Sequence, residues 1–328
     1  MRLLVTGGAG YIGSHVVRQL GEAGHEVVVY DNLSTGHRWS LLHGELVLGD
    51  LADRTQLELV FSKYQFDAVL HFAANIVVPE SVENPLKYYA NNTRNTLNLL
   101  SVMDQFGVDK LVFSSTAAVY GMPDHMVLTE QTPLAPINPY GASKMMSERM
   151  ITDLAFASPL RHVILRYFNV AGANPDARIG QATPEATHLI KVACECVNGV
   201  RPGMKIFGTD YETRDGTCIR DYIHVEDLAK AHVIALDYLR EGGDSQILNC
   251  GYGRGFTVRE VIETVKRLSG VDFPVEETGR RAGDPGALVA DNAKIKQVLG
   301  WTPDFDDLDL IVGTALKWEA EWQRRQKG

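Results

Sequence analysis

Three regularly spaced glycines directly after the first apolar segment are the feature that most constrains the fold of this 328-residue chain. Residues 3–6 are apolar and β-rich, and Gly7, Gly10 and Gly13 follow with the spacing G-x-x-G-x-x-G before an amphipathic helical pattern. Glycine lets the backbone turn sharply and approach a pyrophosphate closely, while the helix N-terminus offers amide donors. Because the motif follows the first strand and opens a helix, it predicts a dinucleotide site.

The rest of the N-terminal half repeats this alternation of strand and helix. Short apolar segments that are typical of strands occur at residues 3–6, 27–30, 46–48, 68–72, 111–114 and 163–167. Helical patterns lie between most of them; from 84 to 104, Pro85 can open a helix whose apolar positions keep the 3.6-residue period. Such alternation indicates a parallel sheet covered on both faces. The predicted fold class is α/β, a Rossmann-type doubly wound parallel sheet with a smaller, mixed α/β C-terminal substrate lobe.

The regular alternation of strand and helix patterns ends at about residue 172, where a loop-rich stretch begins. We therefore predict a dinucleotide-binding Rossmann domain over residues 1–170 and a substrate domain over residues 171–328. A short strand and a helix recur near residues 220–240, where we expect the chain to rejoin the first domain.

Composition and charge narrow the class of protein. The chain is 45% hydrophobic and 22% charged, with a formal net charge of −9. Nucleic-acid binding calls for a basic patch, so no nucleic acid is expected as a partner. No segment reaches the roughly 20 apolar residues of a membrane span, so no membrane association is expected. The four cysteines include no Cys-x-x-Cys, which favours reduced thiols, no metal site and a cytoplasmic location.

An acidic residue lies at the end of the second predicted strand. Asp31 follows about 20 residues after the glycines, where a carboxylate accepts hydrogen bonds from an adenosine ribose and repels a 2′-phosphate. This predicts NAD rather than NADP; the alternative is a solvated aspartate in the turn before Asn32. Asp50, in the turn before Leu51, is placed to meet the adenine, and its alternative role is a helix cap.

The segment Pro139 to Lys144 reads PYGASK at the start of a helix. Residues i and i+4 share a helix face, so the Lys144 ammonium lies one turn from the Tyr140 phenol. A neighbouring cation lowers the pKa of a phenol, which predicts that Tyr140 is a base usable at neutral pH. Thr116, at the carboxyl end of the fifth strand, can share a hydrogen bond with a substrate oxygen and Tyr140; its alternative is to satisfy the local backbone.

With these motifs in place, the chain resembles the extended short-chain dehydrogenase/reductase family and, within it, the UDP-glucose 4-epimerases. The likeness covers nearly the whole chain and rests on TGGAGYIGSH, YDNLSTG, HFAA, ESVENPLKYYANN, SSTAAVYG, NPYGASK, ILRYFNVAGA, IFGTDY, DGTCIRDYIHVEDLA, LNCGYG and RRAGDPGALVAD. It implies Tyr140 as base, with Lys144 and Thr116 as its partners. It also implies an enzyme that interconverts UDP-galactose and UDP-glucose through a transient 4-keto sugar, with bound NAD and a UDP-sugar site in residues 171–328.

The resemblance also implies the remaining binding residues. Beyond Asp31 and Asp50, the NAD site would comprise Gly7, Gly10, Tyr11, Ile12, Gly13, Asn32, Leu51, Phe72, Ala73, Ala74, Asn91, Ser114, Tyr140, Lys144 and Tyr167. On the substrate side, Tyr167, Phe168 and Asn169 fall where the family lines the sugar and diphosphate. Arg220 and Arg281 would clamp the diphosphate, because forked donors match phosphate oxygens. Asp284 would bind the uridine ribose, and Leu288 falls beside the C2 substituent of the sugar.

Two positions depart from the family pattern. Many of these epimerases carry a Lys shortly after the fourth strand, near the nicotinamide, whereas this chain has Ile76. Ile76 cannot replace that charge. His188 stands where many relatives place Asn; it either donates a hydrogen bond to the nucleotide or is a structural histidine.

Several functions remain as alternatives. An epimerase for UDP-N-acetylhexosamines or UDP-pentoses would share the same residues. A 4,6-dehydratase needs acid and base groups after the catalytic Thr, where this chain has Ala117 and Ala118. A reductase that releases NADH, or an inert NAD-sensing protein on the same fold, are further alternatives. Relatives pair two long helices across a dimer, so we expect a homodimer formed by residues 84–105 and 139–157.

Overall fold

The apolar segments predicted as strands form the middle of a large parallel sheet. The computed structural model describes residues 1–281 and 283–327. Its strands are β1 (Arg2–Thr6), β2 (Glu26–Asp31), β3 (Glu45–Leu48), β4 (Ala68–His71), β5 (Lys110–Thr116), β6 (Val127–Leu128), β7 (Arg161–Tyr167), β8 (Asn169–Ala171), β9 (Met204–Phe207), β10 (Ile219–His224), β11 (Gln246–Cys250), β12 (Gly255–Thr257), β13 (Val275–Thr278) and β14 (Ala287–Ala290). Seven of them pair in the order β11-β7-β5-β4-β1-β2-β3, all parallel. This is the strand order of a doubly wound sheet, which confirms the predicted fold class.

Helices cover both faces of this sheet. They are α1 (Tyr11–Glu22), α2 (Arg54–Tyr64), α3 (Val78–Glu83), α4 (Pro85–Tyr88), α5 (Asn95–Gln105), α6 (Pro139–Ala157), α7 (Leu189–Val197), α8 (Val225–Arg240), α9 (Val258–Ser269), α10 (Ala293–Leu299) and α11 (Leu308–Lys327). Apolar residues of α1 and α8 pack on one face of the sheet, and those of α2, α5 and α6 pack on the other. Both faces are therefore buried, as the continuous apolar strands predicted.

The helical pattern from 84 to 104 is not one regular helix. Residues Tyr89–Arg94 form a π-helical segment between α4 and α5. Within it, the amide of Asn92 hydrogen-bonds both the backbone N–H and the carbonyl of Asn75, at 2.8 and 3.0 Å. A π-helical turn adds a residue to the turn without changing the apolar spacing enough for a periodicity argument to detect it.

A second group of strands lies beyond the large sheet. β10 is central to it, pairing with β8, β12 and β14, and β6 pairs with β14; β9 and β13 form a separate parallel pair. The chain crosses between the two groups, because α8 packs on the large sheet and β11 joins its edge, whereas β6 precedes residue 171 but joins the smaller sheet. The division at residue 170 stays a prediction.

No helix within residues 1–281 and 283–327 is long and apolar enough to cross a membrane. The four cysteines are buried and free.

Candidate active site

A cleft of about 780 Å³ runs along the carboxyl ends of the large sheet, between the two groups of strands. In a doubly wound sheet a ligand binds where the strand order reverses, and here β1 and β4 are the neighbours at that point. Of the residues predicted from the sequence, the cleft is lined by Gly7, Gly10, Tyr11, Ile12, Gly13, Asp31, Asn32, Asp50, Leu51, Phe72, Ala73, Ala74, Asn91, Thr116, Tyr140, Tyr167, Phe168, Asn169, His188, Arg220, Asp284 and Leu288. Ser114, Lys144 and Arg281 do not line it.

The glycine segment brings β1, α1 and the end of β4 close together. Gly7 has a φ of +70°, and a Cβ built on it would lie 2.5 Å from the backbone nitrogen of Ala73, so only glycine fits. The first amide groups of α1, at Tyr11, Ile12 and Gly13, have no acceptor among the described residues. Free amides at a helix N-terminus, with its positive dipole end, form a site for a phosphate group.

Asp31 occupies the end of β2 beside this segment. Its carboxylate accepts hydrogen bonds from the backbone N–H groups of Ala9, at 2.9 Å, and Leu33, at 2.8 Å. Burial raises the pKa of Asp31 above its ordinary value, and the two amide bonds oppose that shift. The carboxylate is therefore fixed at the cleft wall. Nearby, Asn32 donates to Asp50 at 2.8 Å, which ties the ends of β2 and β3 together.

Helix α6 carries Tyr140 to the far end of the cleft. The helix begins with Pro139, after an Asn138 side chain that caps the amide of Gly141 at 2.8 Å. A Cβ on Gly141 would lie 2.5 Å from the carbonyl oxygen of Ala118, so the glycine lets α6 approach the end of β5 closely. This close contact brings the Tyr140 phenol beside Thr116.

The pKa of Tyr140 differs from the sequence prediction. The phenol is only 8% exposed, and burial raises its pKa above 10, although a hydrogen bond with Thr116 opposes the shift. Thr116 Oγ1 accepts the backbone N–H of Ala118 at 3.1 Å, which leaves its own proton free to donate to the phenol. The prediction that a lysine lowers this pKa is wrong: burial has the largest effect and raises the pKa, and the group that lowers it is Thr116 rather than Lys144.

Lys144 lies behind the cleft wall, in contact with the end of β5. Its ammonium donates to the carbonyl of Ser114 at 2.9 Å and lies 4.9 Å from the centre of the Phe113 ring. Burial lowers the pKa of Lys144 to about 8, while the Glu148 carboxylate one turn further along α6 opposes that shift. Ser114 also pairs its hydroxyl with that of Tyr167 at 2.8 Å. These contacts link β5, α6 and β7 under the reacting end of the cleft.

The wall opposite α1 belongs to the smaller group of strands. Arg220, on β10, is paired with Asp284 at 2.5 Å, and both line the cleft. Arg281 lies instead over the ring of Phe207, 4.2 Å from its centre. The structure therefore brings Arg220 and Asp284 together in the cleft and leaves Arg281 on a neighbouring aromatic residue.

Sequence reasoning missed several residues that line the cleft. They are Tyr30, Ser34, Thr35, Gly36, Gly49, Asn75, Val77, Val78, Glu80, Lys87, Asn95, Ala117, Ala118, Gly121, Ile137, Asn138, Val170, Gln181, Thr183, Pro184, Glu185, Gly283 and Pro285. Ile76 also lines the cleft, and the nearest ammonium along the chain that does so is that of Lys87, which is paired with Glu80. Seven of these residues directly adjoin a predicted one, and that adjacency is the signal that could have identified them: Tyr30, Gly49, Asn75, Ala117, Val170, Gly283 and Pro285. The others, among them Gln181 and Lys87, carry no such signal.

Comparison with known proteins agrees with this arrangement. The model of the NAD dependent epimerase/dehydratase family matches residues 3–251. The UDP-glucose 4-epimerase of Azospirillum brasilense is 57% identical over 319 residues, which is 97% of this chain and 92% of that protein.

Solved structures show the same fold. The chain is similar to the UDP-glucose 4-epimerase from Brucella ovis in complex with NAD, with a TM-score of 0.94 and 46% identity over 96% of this chain and 97% of that one. It is also similar to the UDP-Glc/GlcNAc 4-epimerase from Campylobacter jejuni, with a TM-score of 0.87 and 52% identity over 98% and 99% of the two chains.

Proposed function

The chain belongs to the NAD dependent epimerase/dehydratase family, and we propose that it is an isomerase that interconverts UDP-galactose and UDP-glucose with bound NAD. The observation that carries this proposal is that Tyr140 and Thr116 line one end of a cleft whose other end is formed by a glycine segment and Asp31. An alcohol held between them would meet a proton acceptor and a hydroxyl partner together.

The cofactor half of the cleft fits NAD. The acceptor-free amides at the start of α1 suit a pyrophosphate, and the Asp31 carboxylate suits an adenosine ribose that carries no 2′-phosphate. Ser114, which hydrogen-bonds both Tyr167 and Lys144, supports the far end of this half. When bound, NAD accepts a hydride from C4 of the sugar and returns it.

The proposed chemistry of the chain is proton transfer. Tyr140, as a phenolate, takes the proton of the C4 hydroxyl while the hydride leaves, and gives it back after the sugar has turned over. Thr116 supports this step because its hydrogen bond favours the phenolate. No net oxidation results.

Binding of the UDP group would anchor the substrate while the sugar turns. We assign Arg220 and Arg281 to the diphosphate, Asp284 to the uridine ribose, and Asn169 and His188 to further hydrogen bonds. In the structure the Arg220 guanidinium is already held by Asp284, which limits its freedom. Binding energy from this remote group serves to orient the reacting end.

The size of residue 288 on the cleft wall bears on which UDP-sugars the chain accepts. Leu288 lies on the cleft wall and packs against a buried cluster that includes Val119 and Tyr120, and it is neither small nor aromatic. We propose that this chain also acts weakly on UDP-N-acetylglucosamine. A dehydratase is disfavoured because methyl groups, those of Ala117 and Ala118, line the cleft where it needs acid and base groups.

We also propose a cytoplasmic homodimer. Large apolar side chains are exposed on α4, α5 and α6, among them Leu86 at 77%, Leu97 at 50% and Met146 at 41%. These helices are the ones expected at the dimer interface, and burying such residues against a second copy would remove apolar surface from water.

The test is to incubate the purified protein with UDP-galactose alone and to follow UDP-glucose formation and NADH absorbance together. We expect conversion to an equilibrium mixture without added oxidant and without accumulation of free NADH. Stoichiometric release of NADH would establish a dehydrogenase instead, and NAD binding without any conversion would favour the sensing protein.

A further inference from the structure

Gln181 and His188 form a side-chain pair on the substrate wall of the cleft. Gln181 Nε2 lies 2.9 Å from His188 Nδ1, and both residues line the cleft. The two residues flank the loop of residues 182–187, and part of that loop also lines the cleft. Gln181 is only 7% exposed, so its amide is a buried polar group with a specific partner.

The Gln181 side chain extends from a fixed backbone. The indole N–H of Trp318 donates to the carbonyl of Gln181 at 2.9 Å, and Trp318, on α11, is itself 2% exposed. His188 is held as well, because it is the residue that precedes α7 and its carbonyl accepts the N–H of Val192 at 2.9 Å. The two side chains therefore meet from anchored positions rather than from a mobile loop.

The direction of the Gln181–His188 bond determines which ring nitrogen of His188 carries the proton. An amide nitrogen only donates, so Nδ1 accepts and the single proton of a neutral ring is on Nε2. Burial lowers the pKa of His188 below its ordinary value, which keeps the ring neutral at pH 7. Among the described residues His188 Nε2 has no hydrogen-bond partner, so its N–H is free for a ligand.

The described walls of the cleft carry more carboxylates than cations, so a neutral hydrogen-bond donor such as the His188 N–H would help to bind an anionic ligand. These walls carry the carboxylates of Asp31, Asp50, Glu80, Glu185 and Asp284 and the cations of Lys87 and Arg220. Both cations are already paired with carboxylates of the same walls. A nucleoside diphosphate brings further negative charge, and its oxygens need donors, which a neutral N–H provides.

We propose that Gln181 is a positioning residue that holds His188 in its Nε2–H tautomer, so that His188 donates a hydrogen bond to an oxygen of the UDP group. This inference rests on the proposed function for the identity of the ligand. The tautomer itself is a property of the protein and needs no ligand.

The first test is a spectroscopic one on the full-length protein. Nitrogen-15 spectra of the histidine rings, with His188 assigned by the loss of its signals in His188→Asn, report which nitrogen is protonated. We expect Nε2 to be protonated in the wild type and a shift toward mixed tautomers in Gln181→Met, which has a side chain of similar length without a donor. Protonation of Nδ1 in the wild type, or an unchanged tautomer in Gln181→Met, would overturn the proposal.

The second test is a double-mutant cycle with UDP-galactose. We expect Gln181→Met and His188→Leu each to raise KM roughly three- to tenfold with little change in kcat, as for the loss of one neutral hydrogen bond. The double variant should be no worse than the worse single one, because Gln181 acts through His188. Independent, multiplying effects would contradict the proposal. Gln323→Met is the matched control, since Gln323 bonds Glu319 on α11 outside the cleft.

These tests separate the inference from the proposed function. A wild-type protein that does not convert UDP-galactose contradicts the function, whereas the tautomer is read without turnover. If the wild type does not convert UDP-galactose, the double-mutant cycle is measured with the dissociation constant of UDP in place of KM. The double variant should again be no worse than the worse single variant.

Discussion

The two halves of the cleft are built in different ways. In the cofactor half, the binding groups are backbone amides at the start of α1, a glycine in a positive-φ conformation and a carboxylate fixed by two backbone N–H groups. In the substrate half, the polar groups are side chains that hydrogen-bond with one another: Arg220 with Asp284, and Gln181 with His188.

This difference has a physical consequence. Backbone donors at the ends of β1 and α1 are fixed by the fold, so a phosphate meets them without rearrangement. Paired side chains must be shared with the ligand or released by it, which offsets part of the binding free energy. Substitutions in the cofactor half should therefore change affinity sharply, and those in the substrate half should have graded effects.

The largest effect should come from the residue where the two halves meet. Tyr140→Phe removes the phenol that we assign as the base, and turnover should fall by at least about a hundredfold, as is typical for lost general acid–base catalysis. NAD and UDP affinities should stay near wild type, measured by calorimetry alongside kcat. Tyr64→Phe is the matched control, because Tyr64 ends α2 and does not line the cleft. Near-normal turnover of Tyr140→Phe would exclude Tyr140 as the base.

A smaller, pH-dependent effect should follow from Thr116→Val. The Thr116 hydrogen bond lowers the Tyr140 pKa, so its loss should raise that pKa and move the rising limb of log kcat against pH to higher pH. The loss should be greatest at low pH and diminish as the pH rises. Thr116→Ser should restore most of the activity. The same fractional loss at every pH would mean that Thr116 acts on geometry alone.

Asp31→Ala tests the cofactor half. Hydrogen bonds to a charged group contribute about 1.5–3 kcal/mol, so we expect the dissociation constant of NAD to rise about tenfold or more. That of NADP should change less or fall, because a repulsive charge is removed. Asp53→Ala is the control, since Asp53 caps α2 outside the cleft. Equal weakening of both cofactors in Asp31→Ala would show that the carboxylate serves only to hold the glycine segment.

The same contrast explains what the sequence could predict. The strands around Gly7 and the helix after Pro139 follow from local rules: apolar runs, glycine spacing and a proline at a helix start. The π-helical turn escaped detection because Asn92 bonds Asn75, a partner distant in the chain. The burial of Tyr140 depends on how closely α6 packs on the turn after β5, so the direction of its pKa shift could not be read from its spacing to Lys144.

In the substrate half, local rules fail more often. Gln181 lies in a loop and meets His188 only because α7 and α11 hold both residues. The assignment of Arg281 to the diphosphate stays a prediction, and its contact with Phe207, whose strand lies more than 70 positions earlier in the chain, could not be read from the sequence. Pairs of side chains from distant elements leave no periodic signal, which is why this half required the structure.

The smallest and most graded effect should appear at Leu288, on the substrate wall. Leu288 lines the cleft and is only partly buried against the cluster of Val119 and Tyr120, so it is a wall residue rather than an isolated core residue. A large aromatic side chain would fill the space that an N-acetyl group needs, whereas leucine fills it only in part. Because a poorly placed group in a pocket changes binding by about 1–3 kcal/mol, we expect efficient conversion of UDP-galactose and weak but measurable conversion of UDP-N-acetylglucosamine. Leu288→Tyr should abolish the N-acetyl activity and spare UDP-galactose, measured as kcat/KM for both. Leu288→Ile, with the same number of carbons, is the control. If Leu288→Tyr changes both activities equally, or neither, Leu288 does not set the size of the accepted sugar.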